Sequence, residues 1–356
     1  MPKTLTKPSL NRSLHVAKAT KQDEFYTQLS DIEKELKHYT DHFQGKTVLC
    51  NCDDPKVSKF FHYFSHKFKT LKLKKLVATC YRSRDPDLFS QNNSKVGVYL
   101  EYEGEKNRGR IPTPKQIGIH PLSGDGDFRS PECTELLKQA DIVVTNPPFS
   151  LFREYLEQLM KYKKKFIIIG NKNVITYKEP FALIKKNKLW VGVTPMGTDM
   201  LFRVSDSLAK LLVETKKRGS AYRIVNGDVM ARSQSCWLTN LEHQKRHQEL
   251  VLYKSYNPID FPTYDNYAAI EVNRTADIPM DYDGAMGVPI TFLDKYNPDQ
   301  FKIIGQTDRD NSSGLRTKKY TLEEVPNPND LNRAAVIKTG NSYKAVYMRI
   351  LIKRRK

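Results

Sequence analysis

Short β-branched runs alternate with amphipathic segments through a little more than the first half of the chain. Asp31 to His42 has helical spacing, with Ile32, Leu36 and Tyr39 on one side, and Lys46 to Cys50 reads as a strand. A helix over Val57 to Phe68 and a strand over Lys75 to Cys80 follow; Arg82 to Asp125 is polar and irregular, with one hairpin around Val96 to Tyr102. Thr134 to Gln139 is a short helix and Asp141 to Thr145 an apolar strand. Ser150 to Met160 then places Leu151, Phe152, Tyr155, Leu156, Leu159 and Met160 on one helical face. Lys165 to Gly170, Pro180 to Asn187 and Leu189 to Val193 continue the alternation as strand, helix and strand. Such an order predicts an α/β fold, a parallel sheet with helices on both faces. From Pro195 onward turns and prolines increase, and only isolated strands stand out, at Cys236 to Leu241 and Phe301 to Gly305. The expected organisation is an arm over 1–22, an α/β domain over 23–245 and a less regular region over 246–356.

One junction breaks the pattern sharply. Pro147 and Pro148 lack an N–H and have fixed φ, so neither the strand before them nor the helix after them runs through. Asn146 to Phe149 is therefore a stiff loop at the carboxyl end of a strand, where α/β proteins place ligands. Its chemistry suits a planar exocyclic amine. The Asn146 side-chain oxygen and the Pro147 carbonyl can each accept one N–H, favouring a more tetrahedral nitrogen whose lone pair faces an electrophile. Phe149 can stack on the ring, and the prolines hold both acceptors in place. The plain alternative is an ordinary proline-rich turn; the flanking strand and amphipathic helix favour the binding role.

Charge narrows the partner. The 356 residues include 59 Lys and Arg against 40 Asp and Glu, a net +19, and 39% are hydrophobic. A surface of that sign attracts phosphate backbones, with a solubility feature or binding to acidic membranes as the plainer alternatives. Lys3, Lys7, Arg12, Lys18 and Lys21 precede the first acid, and Lys353, Arg354, Arg355 and Lys356 close the chain; both clusters read as flexible basic arms. No apolar run reaches membrane-spanning length and no signal-peptide pattern is present, so the expected location is the cytoplasm. Cys50, Cys52, Cys80, Cys133 and Cys236 form no CxxC pairs, and no metal site is expected. Walker loops and the zinc-deaminase signature are absent from the sequence. His120 and His243 read as structural or solvated.

Five segments, taken together, carry a resemblance. They are "DEFYTQLSDIEKEL" from Asp23, "VLCNCDDPKVSKFFHYF" from Val48, "GDGDFRSPECTELLKQADIVVTNPPFSLFREYLEQL" from Gly124, "CWLTNLEH" from Cys236 and "YDNYAAIEVNRTADIPMDYDGAMGVPITFLDKYNPDQF" from Tyr264. In wording and order they resemble the EcoRI-type adenine-N6 DNA methyltransferases. The resemblance implies a Rossmann-like methyltransferase fold with a target-recognition region after it, S-adenosylmethionine as cofactor, and double-stranded DNA as substrate. It implies a restriction–modification enzyme; a monomer or weak dimer is expected, and the reactivity of a sulfonium calls for no metal. Phe25, Tyr26 and Thr27 would lie against the methionine end of the cofactor, and Asn51, Asp53 and Asp54 would meet it at the first crossover. Asp127 and Phe128 would hold its adenine, and Asn146, Pro147, Pro148 and Phe149 would bind a target base flipped out of the duplex.

Two departures stand against that pattern. The crossover "NCDDPKVSKF" lacks the usual glycines, with Ser58 as a small substitute, and the strand ending "VATCYR" lacks the usual ribose-binding acid. Asp53 or Asp54 either takes that task or merely caps the next helix. "MDYDGAMGVP", from Met280, reads equally as a DNA-contacting turn or as a hairpin that positions the recognition region. An RNA or protein-glutamine methyltransferase, and a DNA-binding relative without catalysis, remain open alternatives.

Overall fold

The computed structural model describes residues 26–52, 58–80, 97–104, 114–204 and 206–355. The 1–22 arm, Phe25, Asp53 and Asp54 lie outside the described residues. The chain divides into two compact units, one of residues 1–174 with 192–241, the other of residues 175–191 with 242–356.

The first unit is built on β2 (Thr47–Cys50), β3 (Lys75–Cys80), β4 (Val98–Tyr102), β5 (His120–Pro121), β6 (Ile142–Thr145), β7 (Lys165–Asn171) and β12 (Ser235–Thr239). They lie side by side in the order β5-β4-β3-β2-β6-β7-β12. The central four are parallel, and β4, β5 and β12 join antiparallel at the two sides. Val48, Leu76, Val144, Ile167 and Ile169 share one core with Ile32, Leu36, Phe60 and Phe64 from helices Leu29–Leu36 and Lys59–Lys67. The alternate positions Leu49, Val77, Val143 and Ile168 are buried as well, and helices Pro131–Gln139 and Phe152–Lys161 pack on β2 and β7. Burial on both faces explains why these strands read as unbroken apolar runs. The expected parallel sheet with helices on both faces is present, edged by antiparallel strands.

Local chemistry sets the element ends. The Ser58 hydroxyl accepts the Phe61 amide at 3.2 Å and caps the 59–67 helix. Ser130 caps the 131–139 helix in the same way, with Pro131 in its first turn. Asp141 accepts the Thr47 amide at 2.8 Å. That aspartate stitches the start of β6 to β2, at the end of the strand away from the NPPF loop.

Three expectations change. The 195–233 stretch, read as irregular, forms an antiparallel sheet in which β1 (Tyr26–Thr27), β9 (Met200–Arg203), β11 (Asp228–Ser233) and β10 (Tyr222–Val225) lie in that order. The strand at Cys236 is not isolated, since Trp237 pairs with Ile169 of β7. The second unit holds the third correction. It contains β8 (Trp190–Val191) and a sheet of β13 (Ile270–Glu271), β14 (Met286–Pro289), β18 (Arg349–Arg354) and β15 (Phe301–Gln306), in that order, with β16 (Val336–Thr339) and β17 (Ser342–Ala345) as a separate hairpin. Lys353 and Arg354, expected in a flexible arm, belong to β18, which pairs with β14 on one side and β15 on the other. Buried Ile350, Leu351 and Ile352 anchor that strand, so its basic end is a fixed surface. "MDYDGAMGVP" makes no hairpin of its own; its last residues, Met286 to Pro289, pair across to β18. No helix among the described residues is long and apolar enough to cross a membrane.

Candidate active site

The chain leaves β2 through the 59–67 helix to β3 on one side, while β6 lies on the other side of β2. The crevice between the carboxyl ends of β2 and β6 is therefore a topological switch point, the usual ligand position in open α/β sheets. Parallel register pairs Leu49 with Val143, which brings Asn51 beside Thr145. The Thr145 hydroxyl donates to the Asn51 carbonyl, and the buried Tyr155 hydroxyl donates to the Asn51 side-chain oxygen. Asn51 is thus fixed at both its backbone and its side chain, and the NPPF loop leaves the adjacent strand end.

That loop is stiff in the structure too. Pro147 is buried, and Asn146, Pro148 and Phe149 are half-buried. A 3-10 turn over Phe149–Leu151 precedes the helix, with the Leu151 amide donating to the Pro148 carbonyl at 3.0 Å. The following helix begins at Phe152 rather than Ser150. Phe149 packs in part against the apolar core of the unit, which limits the rotation of its ring.

The GDGDF turn comes next to this crevice through aromatic packing. Phe128 is buried and meets Tyr155 edge-on, with ring centroids 5.0 Å apart. Its carbonyl accepts Gln158 Nε2 at 2.9 Å. Gly126 has φ of +78°, and a Cβ on Gly97 would fall 2.6 Å from its amide nitrogen. Glycine at 97 lets the backbone before β4 run against the turn. Asp127 receives Arg129 Nε and Nη2 at 2.9 and 2.6 Å, and Arg129 Nη1 reaches Glu154 at 2.8 Å. These two carboxylates push the Arg129 guanidinium pKa well above its usual value. The Arg129 amide also donates to Asp127 Oδ1 at 2.9 Å, so this carboxylate is held in place at the turn.

Thr27 is buried in β1, and β1 lies against the 59–67 helix. Its hydroxyl has no hydrogen-bond partner among the described residues. A buried, unsatisfied hydroxyl is unusual and fits a site that a polar ligand completes. Tyr26 contributes its backbone to the same short strand, pairing with Arg203.

Of the expected residues, Asn51, Phe128 and the Asn146–Phe149 loop thus gather at one crevice, with Asp127 at the turn beside Phe128. Sequence reasoning missed the residue that joins them. Tyr155 was read as part of an apolar face; its hydroxyl, one turn into the helix after NPPF, was the available signal. Replacing it tests this. Tyr155→Phe leaves the buried Asn51 oxygen without its donor, and the expected cost is about 1–3 kcal/mol of stability, seen as a lower denaturant midpoint. An unchanged midpoint would show that Asn51 does not depend on Tyr155.

The family described as "Adenine-specific methyltransferase EcoRI" matches residues 13–355 of this chain. The Type II methyltransferase M.EcoRI of Escherichia coli is 50% identical over 303 residues, covering 84% of this chain and 90% of that protein. M.MgeORF184P of Mycoplasma genitalium and M.MpnI of Mycoplasma pneumoniae, also Type II methyltransferases, are each 37% identical over 294 residues, or 81% of this chain. These alignments cover 84% and 83% of the two Mycoplasma proteins. No solved structure matches the chain at a significant level. With a parallel sheet, a switch-point crevice and an NPPF loop matched almost end to end, the chain belongs to the EcoRI family of adenine-specific methyltransferases.

Proposed function

We propose that this enzyme transfers a methyl group from S-adenosylmethionine to N6 of an adenine flipped out of duplex DNA, as a site-specific modification enzyme. The observation that carries the reading is the NPPF loop beside Asn51 at the β2–β6 switch point. The named relatives, as Type II methyltransferases, support it.

The residues present fit the cofactor. The unsatisfied Thr27 hydroxyl offers a polar partner, Asn51 stands at the end of β2, and Phe128 gives a buried aromatic edge beside Asp127. By family resemblance Phe25, Tyr26, Asp53 and Asp54 would join them. The cofactor supplies an electrophilic sulfonium methyl. Asn146 and the Pro147 carbonyl accept the two N–H groups of the target amine and turn its lone pair toward that methyl. Phe149 holds the base plane. Flipping is needed because N6 is otherwise engaged in the base pair. Orientation supplies most of the acceleration, so the chemistry calls for no metal and no covalent intermediate.

A duplex incubated with the enzyme and a methyl-labelled donor should yield N6-methyladenine at one sequence. Label appearing only in RNA or in protein glutamine would overturn the reading. Donor binding without any transfer would identify a relative that has lost catalysis.

The cofactor assignment has its own test. Thr27→Val removes a hydroxyl that no described residue uses, so thermal stability should be unchanged or slightly higher. Donor affinity measured by calorimetry should fall several-fold, on the order of 1 kcal/mol. Equal affinity would place Thr27 outside the site.

A further inference from the structure

The second unit carries an open cleft of about 500 Å³, lined by Arg309, Asp310, Asn311, Arg316, Lys318 and Lys319 among others. The loop after β15 forms it, and that loop is tightly held. The Asp308 carboxylate accepts the Ser312 amide at 2.9 Å, and the Asn311 side-chain oxygen accepts the Arg316 amide at 3.1 Å. A Cβ on Gly305 would fall 2.5 Å from Ser313 Cα, so only glycine lets the loop fold back on β15.

The charges in this cleft are incompletely balanced. Arg316, half-buried, donates to the Tyr267 hydroxyl at 2.8 Å and to the carbonyls of Asp308 and Asn332 at 2.5 and 2.9 Å. Those acceptors are neutral; they fix the guanidinium and leave its charge in place. Arg309 and Lys319 are exposed and take part in no hydrogen bond or ion pair among the described residues. Lys318 differs, since Asp265 lies 2.6 Å from its ammonium. Asp310 is the one acid among the named lining residues.

We propose that this cleft seats the sugar–phosphate backbone of duplex DNA, a proposal that rests on the reading of the chain as a DNA methyltransferase. A rigid loop with uncompensated cations is preorganised for phosphate, because little entropy is lost when the anion arrives. Its open shape and the exposed Arg309 and Lys319 suit a continuous polyanion better than a single enclosed ion. Phosphate contacts fix register on the duplex and carry no sequence information, so the cleft orients the DNA and leaves base reading to other residues.

The test uses the full chain with Arg309→Gln and Lys319→Gln together; both side chains are exposed and without partners among the described residues, so folding should survive. Affinity is measured across a salt series for a duplex containing the methylated site and for a scrambled duplex. Each lost phosphate contact should flatten the log–log salt dependence by about 0.9, so the double variant should lose up to about 1.8. Both duplexes should weaken by similar factors, and methyl transfer at saturating DNA should keep its rate. Asp310→Asn should act oppositely and tighten both duplexes. An unaltered slope, or a loss confined to the specific duplex, overturns the proposal. Calorimetric binding of inorganic phosphate with unchanged duplex slopes would make the cleft a small-anion site and would also overturn it. If the wild-type enzyme itself shows no salt-dependent duplex binding, the DNA reading fails along with the cleft.

Discussion

Asn146→Ala should lower the rate of methyl transfer by roughly 10²–10³-fold or more while leaving duplex affinity within about twofold. The expected size follows from what Asn146 is placed to do. Its loop leaves β6 directly beside Asn51, and buried Pro147 together with the 3-10 turn at Phe149 keeps that loop from relaxing into the gap. Without the amide, the target nitrogen loses an acceptor that matters most as its lone pair forms a bond. Duplex affinity is expected to be insensitive, because protein–DNA affinity is generally spread over many phosphate contacts. Single-turnover transfer at saturating DNA, beside affinity at one fixed salt concentration, separates the two quantities. Near-normal turnover would remove Asn146 from the reaction. A parallel loss of affinity would assign it to binding instead.

The largest effect on folding is expected from Arg349→Met. Glu271 is 1% exposed. Arg349 donates to it through Nε at 3.0 Å and Nη2 at 2.5 Å, and the Tyr264 hydroxyl donates to the same carboxylate. Burial beside that carboxylate keeps the Tyr264 pKa well above its usual value, so the hydroxyl remains a donor. Methionine retains the bulk of the arginine stem but leaves the carboxylate buried and uncompensated. Breaking a buried pair on one side costs about 3–5 kcal/mol. Urea unfolding of the full chain should show that loss. The double variant Arg349→Met with Glu271→Leu should recover much of it, because the two desolvation costs disappear together. A single variant as stable as the wild type would show that the pair contributes nothing.

The legible and illegible parts of this chain differ in burial pattern. β2, β6 and β7 are covered on both faces, so their runs of Val, Leu and Ile could be read directly, and the prolines after β6 marked the site. β9, β10 and β11 are short and half-exposed, and their alternation is too weak to register. Their one strong signal was Asn226-Gly227, whose φ values of +53° and +88° make the tight turn between β10 and β11. β18 was hidden for another reason. Its basic end resembled a tail, whereas the apolar triplet Ile350 to Ile352 just before it decides its place in the sheet. In the site, residue type identified the loop, but the bond from Tyr155 to Asn51 depends on a sheet register that no local pattern reveals.

The excursion of residues 175–191 into the second unit bears on how this unit can be exchanged between relatives. Arg246 lies over the Trp190 ring at 3.7 Å, and Gln306 donates to the Thr176 carbonyl at 3.1 Å. The second unit is thus encoded in two separated stretches. A single recombination crossover near residue 242 would pair an incoming region with a foreign 175–191 segment and would lose these contacts. Exchange of this unit between relatives requires two coordinated crossovers or gradual substitution within one lineage. Modular shuffling of this unit is therefore a poor route to variation here, and point-by-point drift is the accessible one.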